Sequence, residues 1–197
     1  MSVLAASALG LGLGVKHAFE ADHVAAVCTF IARGGTVARA ARSGALWGLG
    51  HAVVLTLATS SLVLAGVSVP KSIEHVLDAA VALMLIGLGI HALLRRRKYQ
   101  DEPAPVQNKR PFLVGLVHGA SGTAALTLLV AGTMNTPAAA LVFVTVFSFA
   151  AVLGMALAAT LLALPLRSLA RLSPAWIPYV QTVTACVSIA AGISIVV

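Results

Sequence analysis

Six apolar stretches follow one another along this chain, each long enough to cross a bilayer and each closed by a polar interruption. They run about Val3–Ala32, Gly44–Val67, Ile73–Leu94, Phe112–Gly132, Ala138–Leu164 and Ala175–Val197. Arg33-Gly34-Gly35, Pro70-Lys71, the run Arg95–Arg110, Asn135-Thr136-Pro137 and Arg167–Pro174 mark the boundaries. Only 10% of the residues are charged and 59% are hydrophobic, whereas a soluble domain carries about a quarter charged residues. The expected fold is therefore all-α: a polytopic membrane protein of six transmembrane helices in contact with the lipid bilayer. The 197 residues leave room for one membrane domain and no separate soluble one. Residues 1–94 would form a first three-helix half, 95–110 a polar cytoplasmic linker and 111–197 a second half. The first apolar segment leads into a charged motif rather than a small-residue cleavage site, so no cleavable signal peptide is expected.

The net charge of +7 resembles a nucleic-acid signal until it is mapped. Arg33, Arg39 and Arg42 lie in the first loop, Arg95, Arg96, Arg97, Lys98, Lys109 and Arg110 in the third, Arg167 and Arg171 in the fifth. The second loop has Lys71 alone and the fourth has none. Short positive loops face the cytoplasm, which puts both termini outside a cytoplasmic membrane and makes a nucleic-acid partner unnecessary. Three spans per half then make the halves antiparallel, an inverted repeat.

Two short motifs support duplication. Gly14-Val15-Lys16-His17 is echoed by Gly115-Leu116-Val117-His118, and Leu49-Gly50-His51-Ala52 by Leu153-Gly154-Met155-Ala156. The first motif continues through Glu20, Asp22 and His23. Ionisable groups inside a membrane segment are costly and mark ion paths or buried sites. Imidazole suits late first-row divalent ions, and a carboxylate compensates their charge. On a straight helix His17, Glu20 and His23 share a face about 120° wide, with Asp22 about 100° beyond His23. Bringing Asp22 in requires a break. The first stretch, roughly 45 Å as one helix, must in any case tilt, kink or break, and Gly10, Gly12 and Gly14 make a distortion plausible. His51 and His118 are further candidate ligands. Ser121 and Thr123 stand where the first copy has Glu20 and Asp22, so one asymmetric site is expected. His75 and His91 read as surface or packing groups, and Met155 as packing. Glu74 and Asp78 read as a solvated helix end that could attract cations.

His17-x-x-x-x-Asp22-His23, within Gly-Val-Lys-His-Ala-Phe-Glu-Ala-Asp-His-Val, resembles the signature of the nickel/cobalt transporter family. Leu49-Gly50-His51 resembles that family's next motif. Typical members have eight spans and an acidic, Thr-rich motif in the second half. The stretch His118-Gly119-Ala120-Ser121-Gly122-Thr123 is more like the shorter, UreH-like branch. The resemblance implies His17, Asp22 and His23 as metal ligands, His51 as a supporting one, and a broken first helix.

It also implies a permease for Ni²⁺ or Co²⁺, working by alternating access, with the ion as transported substrate and no resident cofactor. The inside-negative potential, worth about 2.3 kcal/mol per charge per 100 mV, would favour uptake. Efflux by the same fold is the alternative direction. A thiol–disulfide carrier using Cys28 and Cys186 is the alternative class, though they lie in non-equivalent spans without a Cys-x-x-Cys. No Walker motif and no His-Glu-x-x-His occurs, so an enzyme is not expected. A homo-oligomer or an accessory subunit stays open.

Overall fold

The computed structural model describes residues 2–32, 36–67, 70–95, 109–120, 127, 130–173 and 175–196. Among these every regular element is a helix: α1 Val3–Ala18, α2 Ala21–Ile31, α3 Val37–Ala65, α4 Lys71–Arg95, α5 Arg110–His118, α6 Pro137–Leu172 and α7 Trp176–Val196. Most of the expected linker, Arg33 with its two glycines, and Ser121 and Thr123 lie outside the described residues.

Local chemistry sets the ends. Ser2, Thr36 and Thr136 each accept a hydrogen bond from a backbone N–H in the first turn of α1, α3 and α6. Gly66 closes α3 at φ 66°, a left-handed conformation suited to glycine. The first apolar stretch is broken as expected. Phe19 and Glu20 N–H still donate to Lys16 and His17 carbonyls, but Glu20 is extended (φ −64°, ψ 153°) and α2 starts afresh after it.

Two boundaries differ from the sequence reading. Arg39 and Arg42 lie inside α3, and α6 runs on past Pro165 and Arg167 to Leu172. Arginine is a good helix former, so charge ends the apolar stretch without ending the helix.

Among the described residues, four helices are each long and apolar enough to cross a bilayer alone: α3, α4, α6 and α7. α1 and α2 are shorter, and the fourth apolar stretch is described only as α5 and a few residues after it. The surface is that of a protein in lipid, with Leu4, Leu57, Leu64 and Leu83 turned outward and 65–82% exposed. Inside, Trp47, Met155, Leu85 and Val27 form one core, and Leu55, Phe143 and Phe147 another.

Glycines let the helices approach closely, in reciprocal pairs. A Cβ on Gly14 of α1 would collide with the Phe147 carbonyl of α6, and one on Gly115 of α5 with the Trp47 carbonyl of α3. Gly50 of α3 meets Phe112 and Leu116, while Gly154 of α6 meets Val15 and Ala18. Gly89 of α4 meets Ala185 and Ile189 of α7; Gly192 of α7 meets Ala82 and Ile86 of α4. The last six residues stand at one constant spacing, so each contact is the mirror of the other. Residue order along these contacts makes α1 parallel to α6 and α5 parallel to α3. The same order makes α4 antiparallel to α7, and α3 antiparallel to α6, where Thr56 also donates to Ser148 at 2.7 Å.

Candidate metal centre

The break at Glu20 turns the first motif back on itself. α1 ends on His17 and Ala18, and α2 begins with Asp22 and His23 in its first turn. The close packing of α3 on α5 brings in His51 and His118. All four imidazoles are buried, none more than 2% exposed. Their rings form a cluster, with centroids 4.2 Å apart for His17–His23, 4.3 Å for His23–His118 and 5.1 Å for His17–His51.

Two carboxylates orient the rings. His17 Nδ1 donates to Glu20 Oε2 at 2.8 Å, which leaves Nε2 with its lone pair. His23 donates twice to Asp22 Oδ1, from its backbone N–H at 2.9 Å and from Nδ1 at 3.0 Å. Its Nε2, fully buried, meets no hydrogen-bond partner among the described residues. A histidine whose far N–H is held by a carboxylate is oriented as metal-binding histidines are. The other oxygen of Asp22, Oδ2, lies 3.0 Å from His118 Nε2.

His17 Nε2 and His51 Nε2 face each other at 3.2 Å. One proton between them satisfies both, and a cation could take its place. At about 2.05 Å from each nitrogen it would subtend roughly 100°, close to tetrahedral or octahedral geometry. Two groups of ligand atoms have every member within 4.8 Å of the others: His17, His23 and His51, and Asp22, His23 and His118. Trp47 packs against His23 and His118, and Phe147 against His17, at 5.1–5.5 Å between ring centroids.

All six residues singled out from the sequence thus meet in one cluster. Straight-helix geometry favoured Glu20 over Asp22; the break reverses the emphasis, placing Asp22 between His23 and His118 and Glu20 on the outer side of His17. The Glu20 side chain is 39% exposed and that of Asp22 26%. Trp47 was not anticipated, although its position one helical turn before His51 is the signal that finds it. Met155, which the motif echo sets against His51, is packed in the core as expected, and His75 is exposed. Cys28 and Cys186 are both free thiols.

These features define an all-α, multi-pass membrane protein with a buried cluster of imidazoles and carboxylates able to hold a metal ion. The chain is similar to Urease accessory protein UreH from Bacillus sp. (strain TB-90), with 29% identity over 186 residues, 87% of this chain and 82% of that protein. This bears out the resemblance to the UreH-like branch of the nickel/cobalt transporter family, across far more of the chain than the first motif. The relative's description as an accessory protein accords with a non-enzymatic role. No family model matches the chain, and no solved structure matches it.

Proposed function

We propose that this protein is a cytoplasmic-membrane permease for Ni²⁺ or Co²⁺, moving the ion inward by alternating access around the histidine cluster. The observation that carries this reading is the convergence of four buried imidazoles and Asp22 at a helix break. Broken helices supply ion sites at the seam between transporter halves, and buried imidazoles are suited to nickel and cobalt. His17, His23, His51 and Asp22 act as ligands, His118 joins them from the second half, and Glu20 orients His17. The likeness to a urease accessory protein fits a nickel-related transport or accessory role.

The architecture proposed is a single membrane domain of six spans in a 3+3 inverted repeat, α1–α4 forming one half and α5–α7 with the segment after α5 the other. The reciprocal glycine contacts support it: first helices pack on second helices of the opposite half, and third helices pack on each other antiparallel. Parallel α1/α6 and α3/α5 with antiparallel α4/α7 is the pattern of six alternating crossings. The distribution of arginine and lysine supports outside termini.

The test is uptake of radiolabelled nickel by cells expressing a membrane-inserted His17→Ala, His23→Ala double variant. Accumulation should fall to the level of cells lacking the protein. Normal accumulation would overturn the reading, and cells with the wild-type protein accumulating less nickel than both the variant and cells lacking the protein would mean export.

A further inference from the structure

We propose that the cluster is two stations for one cation, His17–His23–His51 and Asp22–His23–His118, with His23 the ligand common to both. This rests on the metal-permease reading and adds how the ion is held and passed on. Each station brings three ligand atoms within 4.8 Å of one another, a spread that small side-chain rotations close onto a first-row ion. The five residues do not form one such set. The His51 and His118 rings lie farthest apart among the ring contacts of the cluster, at 5.9 Å between centroids. Only His23 belongs to both groups, so the two stations compete for one ligand and a single ion occupies them in turn.

The stations differ in chemistry. The first is all imidazole and sealed, each member no more than 2% exposed. The second contains a carboxylate, which lowers the net charge of the loaded site, and that side chain is 26% exposed. A station open to the surface and a sealed one, sharing a ligand, make a path along which the ion is never without a protein bond. Two observations beyond the clustering point to a ligand. His23 Nε2 and His51 Nδ1 are buried without hydrogen-bond partners among the described residues, and buried imidazole nitrogens are rarely left so.

Moving between stations exchanges ligands and breaks no covalent bond to carbon. The ion leaves the His17 and His51 nitrogens and gains Asp22 Oδ2 and His118 Nε2, which now hydrogen-bond each other at 3.0 Å. The exchange conserves protons: one leaves His118 Nε2 as the ion arrives, and one is taken up between the His17 and His51 nitrogens that the ion leaves behind.

The full-length protein in lipid nanodiscs, titrated with Co²⁺ and examined by visible and X-ray absorption, tests this. Wild-type protein should bind one ion per chain. His51→Ala should still bind one, about 10-fold more weakly, with oxygen in its shell. His118→Ala and Asp22→Asn should each bind one in an all-nitrogen protein shell, with matching spectra. His23→Ala should weaken binding by more than about 100-fold. If His51→Ala and His118→Ala lose binding as completely as His23→Ala while melting like the wild type, the ligands form one joint site and the two stations are wrong. Identical spectra for these two variants, or two ions bound to wild type, overturn them equally. Wild-type protein that binds neither Co²⁺ nor Ni²⁺ gives a different pattern, removing the permease reading itself and the stations with it.

Discussion

Asp22 and His118 stand 96 positions apart in the chain and meet at 3.0 Å, joining the first half of the protein to the second at the centre of the histidine cluster. Through its other oxygen the same carboxylate holds His23. Asp22 therefore couples α2 to α5, whereas Glu20, two residues earlier, reaches His17 of its own segment. The two carboxylates of one short motif do different work, and a pair of isosteric substitutions separates them.

Asp22→Asn should weaken Ni²⁺ binding by about 100-fold, because it removes a negative ligand and leaves only a neutral amide oxygen to orient His23. Glu20→Gln should weaken it by only about 10-fold, the scale of losing an outer hydrogen bond to a ligating histidine. Calorimetric titration of the purified variants measures both. Equal losses would put the two carboxylates in equivalent roles.

Acid should empty the site. A proton and a metal ion compete for the same imidazole lone pair, so affinity falls as pH falls and rises as it increases. Titrations at pH 7.5 and 5.5 should show Ni²⁺ affinity dropping by at least about 10-fold at the lower pH. A constant affinity would argue against imidazole ligation.

The helix crossings should be intolerant of a single methyl group. Gly14→Ala and Gly115→Ala each place a Cβ against a carbonyl of the neighbouring helix, an overpacking that costs about 1–3 kcal/mol. Gly12, on the same helix as Gly14, has nothing within 4 Å of its would-be Cβ. Gly12→Ala should leave stability unchanged or raise it by up to about 1 kcal/mol through helix propensity. Thermal unfolding in detergent distinguishes the three.

The cysteines should be dispensable. Cys28 is half-buried on α2 and Cys186 exposed on α7, both as free thiols. A Cys28→Ser, Cys186→Ser double variant should accumulate nickel at the wild-type rate. Loss of uptake with normal insertion would revive the thiol–disulfide alternative.

Much of the site was legible because ionisable residues are rare in apolar segments, and Glu20, Asp22 and the four histidines stood out against their surroundings. The break was legible too, since the first apolar stretch is too long for one straight crossing. What sequence spacing misjudged was the facing of Glu20 and Asp22. A period of 3.6 holds only while the helix continues, and one extended residue at Glu20 resets it. Helix ends were misread at Arg39 and Arg167 because hydropathy reports where lipid stops, not where backbone hydrogen bonding stops.

The chain alone determined an all-helical membrane protein, since its apolar stretches are bilayer-length and helices satisfy their own backbone groups within lipid. It also determined which side chains were too polar to be mere packing. Which carboxylate meets which imidazole was decided only by tertiary structure. Those meetings depend on how closely helices from distant parts of the chain approach. Gly14, Gly50 and Gly115 allow that approach, but their effect exists only once a neighbouring backbone lies against them.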